Sequence, residues 1–321
     1  MKLVIQIPCL DEAATLAATM GALPARVDGF DVVEVVVIDD GSRDGTAALA
    51  AELGAHVIRL PATRGLARAF RAGIDTCLRR GADVIVNTDG DNQYRGADVA
   101  TLVAPIVRGN ADMVIGARPI ATIAAFSPVK KLLQCTGSWL VRWLTGTDVA
   151  DAPSGFRAFS RETALGLNVF STFTYTLETI VQASQRGLRV SSVPVQVNTV
   201  DRPSRLARGT FAYLWQTGTD LLRILVVYRP FRSFMLPALV LYIAGTAIGV
   251  RFLWKFVESG GAAGHLQSLI LAAILFGLAA MLTLVAFVGD LLAINRRVLE
   301  ELQLDTRRAR FLSAGDRAES D

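Results

Sequence analysis

Apolar residues fall in short runs over the first part of the chain and in two long runs near its end. Leu3 to Ile7 predicts a strand that enters Pro8-Cys9-Leu10-Asp11-Glu12 and then a helix over Ala13 to Leu23, which Pro24 ends. Val32 to Ile38 predicts a second strand, interrupted only by Glu34. It runs into Asp39-Asp40-Gly41-Ser42-Arg43-Asp44-Gly45-Thr46, where Ser42 or Asp44 can cap an Ala- and Leu-rich helix over Thr46 to Leu53. Val84-Ile85-Val86 predicts a third, bounded by Gly81 and a polar turn. Strands that finish in acidic loops and pass into helices are the rhythm of a parallel, doubly wound α/β sheet.

The two late runs have another meaning. Ser233 to Val250 is 18 residues without a charge, and Leu266 to Gly289 is 24. A helix of about 20 apolar residues crosses the ~30 Å hydrocarbon layer, so both are expected to span a membrane. Small residues in Ile243-Ala244-Gly245-Thr246-Ala247-Ile248-Gly249 suit close helix packing, within one chain or between copies in a homo-oligomer. Before them, Thr210 to Tyr228 mixes aromatic and aliphatic residues with arginine, as a helix in the headgroup layer does. The division expected is a catalytic domain over 1–208 and a juxtamembrane segment over 209–232. Spans at about 233–256 and 266–294 follow, within 233–295, and then a tail over 296–321.

Candidate chemistry lies at the strand ends, where open α/β sheets bind ligands. Asp89 and Asp91 alternate with Gly90, so both carboxylates can turn to that rim while Gly90 leaves room for a ligand. Hard oxygen donors so placed suit Mg²⁺ or Mn²⁺ bridged to a diphosphate; a solvated turn uses the same residue types. No G-x-G-x-x-G follows the first strand and no P-loop occurs. A nucleotide would then be held through a metal and through base and ribose contacts.

Four segments resemble the successive signatures of family 2 glycosyltransferases. They are Ile7 to Glu12, Val35 to Thr46, Thr88 to Gln93, and Ser154-Gly155-Phe156-Arg157 preceded by Asp151. The last narrows the resemblance to polyprenyl- and dolichyl-phosphate glycosyltransferases. It implies a GT-A fold with a Rossmann-like, mostly parallel sheet, a nucleotide-diphospho-sugar donor and a divalent metal. It also implies roles. Pro8, Glu12, Asp39, Asp40, Asp89, Gly90 and Asp91 would bind the nucleotide sugar, with Asp39 near the base. Asp89, Asp91 and Gln93 would hold the metal, and Arg118 would sit near the donor phosphates or the acceptor. Lys130, Arg202 and Arg205 would meet the acceptor phosphate. The chain departs from the family at Thr63 and Leu66, where Asn and Lys are frequent; Arg64 or Arg68 can take over donor contacts there.

The acceptor implied is a polyprenyl monophosphate. A phosphate monoester has a second pKa near ~6, so it is already a nucleophile at neutral pH. Asp151 is the candidate base, but that acceptor assigns it to positioning substrates; bracing the Ser154-Gly155 turn is the alternative. Direct attack without a covalent enzyme intermediate inverts the anomeric centre. A processive polysaccharide synthase is a rival reading, although Gln182 to Gly187 lacks the Trp of its Q-x-x-R-W signature. A non-catalytic scaffold is another, opposed by Asp39, Asp89, Asp91 and Arg157.

Composition and charge then place the chain. Of its 321 residues 52% are hydrophobic, and the mean hydropathy of +0.40 is high for a soluble protein. Arg223, Arg229 and Arg232 precede the first span, and Arg296 and Arg297 follow the second. The loop Glu258 to His265 has no Lys or Arg, so both chain ends are expected on the cytoplasmic side of the cell membrane. Arg251 and Lys255 weaken that contrast, although long side chains can snorkel to the interface. Six arginines against Asp220 between Arg202 and Arg232 suit anionic lipid, not nucleic acid. Met1-Lys2 leads straight into a strand, with no expected signal peptide. Three cysteines and two histidines form neither a disulfide framework nor a zinc site.

Overall fold

The computed structural model describes residues 1–120, 136–139, 141–143, 145–169, 175–198, 218–219, 222, 226–260 and 266–318. The chain forms two compact units: Met1–Leu206 with Leu302–Asp321, and Ala207–Glu301.

In the first unit the predicted runs become β1 (Lys2–Cys9), β2 (Val32–Asp39) and β4 (Val84–Asn87). Between and after them lie β3 (His56–Arg59), β5 (Met113–Ala117), β6 (Arg157–Ser160) and β7 (Val190–Pro194). The sheet order is β3-β2-β1-β4-β6-β5-β7. β6 runs antiparallel to both its neighbours and every other pairing is parallel, so the sheet is mixed but mostly parallel. The four extra strands are four or five residues each, within one residue of the length of β4, and pairing partners decide them.

Leu3, Val4, Ile5 and Ile7 are fully buried, because helices cover both faces of the sheet. The helices are α1 (Ala13–Gly21), α2 (Thr46–Glu52), α3 (Leu66–Arg79) and α4 (Val99–Val107), with Arg161–Gly166 and Thr176–Gln185 later in the chain. α1 stops at Gly21, short of the predicted Leu23. The expected caps are also used differently. Gly45, at φ 87°, is the cap of α2. Asp44 instead joins two helix starts, accepting from Ala13 N and Thr46 N, while Ser42 Oγ accepts from Asp11 N.

One polar pair crosses the apolar centre. Gln6 and Asn87 are in register on β1 and β4, and Gln6 Nε2 donates to Asn87 Oδ1 at 2.8 Å. α3 accommodates them with Gly73, where a Cβ would lie 2.3 Å from Gln6 Oε1. β1 and β4 adjoin although β2 and β3 separate them in sequence. The crevice beyond their carboxyl ends is therefore the topological switch point at which open α/β sheets bind ligands.

The second unit holds a helix over Pro230–Glu258 and most of a helix over Leu266–Ala318, both long and apolar enough to cross a membrane. Leu236, Val240, Ile243 and Met281 are among their many exposed apolar side chains. Gly245 of the small-residue stripe packs within the chain, its Cβ position 3.4 Å from both Leu275 Cβ and Phe276 Cε2. Phe231 meets Phe287 edge-on, with centroids 5.5 Å apart. The expected end of the second span near 294 is not a helix end. The helix runs on for 53 residues in all, about 80 Å at 1.5 Å per residue.

Its final portion, Leu302–Asp321, groups with the first unit rather than forming a separate tail. Arg307 donates to the carbonyls of Leu165 and Leu167 at 3.1 and 2.7 Å and pairs with Asp75, while Phe311 is buried. Most of the segment expected to be amphipathic, including 209–217, lies outside the described residues.

Candidate active site

Three loops meet at the switch point. Pro8 is buried on β1 opposite Ile38, and the chain then turns through Asp11, whose φ is 52°. Glu12 starts α1, its carbonyl accepting from Leu16 N at 2.9 Å and its own N–H donating to Thr46 Oγ1 at 3.0 Å. Thr15 and Thr19 of α1 both donate to the Gly90 carbonyl, at 2.8 and 3.1 Å. They draw the β4 loop so close that a Cβ on Gly90 would lie 2.8 Å from Cys9 Sγ. Glycine is required there by space.

From β2, Asp39 is fully buried. Its Oδ1 accepts from Ser42 N at 2.8 Å. Its Oδ2 has no hydrogen bond among the described residues and faces Arg59 Nε at 3.2 Å. Asp40 is turned elsewhere: both its oxygens accept at 2.8 Å, from Arg64 N and Gly65 N, and so clamp the loop that begins α3.

Asp89 and Asp91 leave β4 as predicted from sequence. Burial first, and the neighbouring charge of Asp91 second, push the Asp89 carboxyl up to about 7; Arg118 pulls the other way. Asp91 Oδ1 accepts from Gln93 N at 3.0 Å. Asn198 holds the far side of the loop, donating to the carbonyls of Gln93 and Asn92 at 2.9 and 3.0 Å. Two crowded carboxylates, one reluctant to ionise alone, form an oxygen donor pair that a hard divalent cation fits. Among the described residues no three His, Cys, Asp or Glu side chains converge as a cage.

The opposite wall is the turn from Asp151 to Arg157. Arg118, at the end of β5, grips Asp151 in a fork: Nε to Oδ2 at 2.6 Å and Nη2 to Oδ1 at 3.1 Å, both side chains buried. Arg157 is completely buried and donates to the carbonyls of Ala152, Ser154 and Thr176 and to Thr179 Oγ1, at 2.6 to 2.7 Å. Among the described residues no carboxylate pairs with it, and burial lowers its pKa to about 10. Gly155 N donates to Tyr94 Oη at 3.0 Å, and Gly155 O accepts from Asn87 Nδ2 at 2.8 Å. Tyr175 Oη accepts from the same Asn87 amide at 2.8 Å, and its ring stacks on Phe70 at 3.9 Å. Burial raises the Tyr94 phenol to about 12, which keeps it a neutral donor.

A Cβ on Gly155 would lie 2.9 Å from Asp89 Oδ2, so the two walls touch. The structure thus assembles Pro8, Glu12, Asp39, Asp89, Gly90, Asp91, Gln93, Arg118 and Asp151 around one crevice. Lys130, Arg202 and Arg205 lie outside the described residues. Sequence reasoning missed Tyr94, Asn87 and Tyr175. A signal existed for Asn87, since Gln6 and Asn87 are the polar residues within two apolar runs, Leu3 to Ile7 and Val84 to Val86 with Asn87 at its end.

Comparison with known proteins gives the family. Residues 4–163 match the model of the glycosyl transferase family 2. An uncharacterized glycosyltransferase of Mycobacterium tuberculosis is 33% identical over 194 residues, 60% of this chain and 83% of that protein. The polyprenol monophosphomannose synthase of Mycolicibacterium smegmatis is 29% identical over 206 residues, 60% of this chain and 76% of that one. The M. tuberculosis glucosyl-3-phosphoglycerate synthase, crystallised with Mn²⁺, uridine diphosphate and phosphoglyceric acid, shares the fold. It superposes with TM-score 0.55 at 21% identity, over 70% of this chain and 77% of that one. With its GT-A sheet, its acidic strand ends and these relatives, the chain belongs to glycosyl transferase family 2.

Proposed function

We propose that this glycosyltransferase moves a hexose from a UDP- or GDP-linked donor to a polyprenyl monophosphate at a membrane surface, with inversion. The observation that carries the acceptor is the Arg118–Asp151 fork. Both oxygens of Asp151 are engaged by the guanidinium, so they are occupied in a fork and not turned to an acceptor hydroxyl. A sugar hydroxyl would need a base, whereas a phosphate monoester with a second pKa near ~6 does not. The polyprenol monophosphomannose synthase named above supports the same acceptor, and two membrane-length helices support the same place of reaction.

The residues divide the work. Asp39 Oδ2, buried, without a hydrogen bond among the described residues and faced by Arg59 Nε at 3.2 Å, suits a ring N–H of the base, which uracil and guanine both offer. Asp89 and Asp91, with Gln93, would hold Mg²⁺ or Mn²⁺, which when bound offsets charge on the departing diphosphate. Tyr94, Asn87 and Arg157 hold the Ser154-Gly155 turn against Asp89 and fix the floor under the sugar. Arg118 presents positive charge beside the reacting centre. Lys130, Arg202 and Arg205 are proposed to bind the acceptor phosphate, with the catalytic unit and both chain ends cytoplasmic.

The test uses purified full-length protein, Mn²⁺ and radiolabelled UDP-glucose or GDP-mannose with a polyprenyl phosphate. One donor is expected to give a lipid-extractable sugar phosphate, with loss of transfer in EDTA and in Asp91→Ala. Arg205→Ala is expected to raise the KM for the lipid far more than that for the donor. Undiminished transfer in EDTA sinks the metal assignment, and transfer to a sugar hydroxyl but not to the lipid sinks the acceptor.

A further inference from the structure

Residues 136–139 and 141–143 are helical, and Gly146 N donates to Arg142 O at 2.8 Å, continuing the turn. The inner face is buried: Ser138 is 1% exposed and Val141 2%. The outer face is the reverse of what a soluble domain presents. Trp139 is 56% exposed and Trp143 68%, four residues apart and therefore on one side of the helix. Arg142 is exposed beside them. Among the described residues of the first unit these are the only exposed Phe or Trp side chains; Met1, Leu10, Val32, Leu53, Val107 and Leu302 are scattered singly.

We propose that the face carrying Trp139, Arg142 and Trp143 docks on the headgroup layer of a lipid bilayer. Indole rings favour that layer, where an apolar body and an N–H are both satisfied, and a guanidinium pairs with lipid phosphate. A bilayer is also the surface to which the membrane-length helices tether this unit. The helix transmits contact inward. Ser138 Oγ accepts from Ala152 N at 3.1 Å, one residue from Asp151, and Thr145 O accepts from Ser184 Oγ. Docking thus bears on the turn that lines the acceptor side, so the face is a specificity device for membrane-borne acceptors. This last step rests on the proposed function; the docking itself does not.

Two measurements test it. The full chain carrying Trp215→Phe and Trp254→Phe, which keeps two of the four tryptophans, is reconstituted in vesicles of phosphatidylcholine and phosphatidylglycerol. Lipids brominated near the glycerol end of the acyl chain are expected to quench Trp139 and Trp143 more than lipids brominated near the methyl end. Absence of quenching by either, with free access for acrylamide, overturns docking and points to water; absence of both kinds of quenching overturns it in favour of a protein partner or second copy. In the second measurement, Trp139→Ala/Trp143→Ala in otherwise native protein is expected to lose about tenfold in kcat/KM for polyprenyl phosphate in vesicles, as two large aromatic groups leave an apolar layer. A water-soluble short-chain prenyl phosphate is expected to react unchanged. Equal loss on both acceptors, or none on either, overturns the specificity role. If no lipid phosphate is ever glycosylated, the proposed function fails while the quenching still decides docking.

Discussion

Arg118 acts on two carboxylates and leaves them in opposite conditions. Asp151 has both oxygens bonded to it, whereas Asp89 has Asp91 for a neighbour and a carboxyl raised to about 7. The sign follows directly. A carboxyl with a raised pKa keeps its proton below about 7 in the ligand-free protein, and a cation can bind only once that proton leaves. Binding of Mn²⁺ with a nucleotide-diphospho-sugar, whose doubly esterified diphosphate carries no proton in this range, is therefore expected to release a proton near pH 6 and almost none above about pH 8, so apparent affinity rises with pH and then levels. Calorimetry in buffers of different ionisation enthalpy reads this, and Asp89→Asn should abolish the release. An unchanged proton count across that range would contradict the assignment.

Among the elements, the turn from Asp151 to Arg157 is the one whose sequence is most constrained by its surroundings. Its backbone is bonded by Ser138, Tyr94, Asn87 and Arg157, and Gly155 abuts the Asp89 carboxylate. Adding one methyl in Gly155→Ala would meet Asp89 oxygens at 2.9 and 3.0 Å and Tyr175 Oη at 3.0 Å. The carboxylate has to move, and misplacement on the 1 Å scale costs about 10²-fold in rate. We expect kcat to fall on that order while the circular dichroism spectrum stays native. Activity within about twofold of the parent, well short of that loss, would show that Asp89 tolerates displacement.

For the whole molecule, the two apolar helices raise the question of side. Arginines flank both of them at one end, and the loop Glu258 to His265 has none, which supports cytoplasmic chain ends. In intact cells lacking Cys135 (Cys135→Ser), Ser259→Cys is expected to react with a membrane-impermeant maleimide. Ala51→Cys, on exposed α2 surface, is expected to react only after lysis. The opposite order would invert the topology. Cys9 and Cys77 are buried and do not compete.

Strands β1, β2 and β4, the acidic loops that follow them, with Asp89 and Asp91 at the end of β4, and both apolar helices were legible in the residues, because each is a local pattern: a run, a turn, a pair at fixed spacing. Tertiary structure decided the rest. β3, β5, β6 and β7 are placed by the strands they pair with, and the antiparallel course of β6 depends on the partners it finds. Asp40 reads like a ligand residue in sequence, yet it clamps the Arg64–Gly65 loop, since only the folded chain brings those N–H groups to it. Arg118 and Asp151 are 33 residues apart and become one ion pair, and Asn87 finds Tyr175 across 88. The continuation of the last helix to Ala318, with Arg307 on Asp75, arises in the same way. Pattern fixes what is local in the chain, while burial and long-range pairing determine which polar groups are free to meet a substrate.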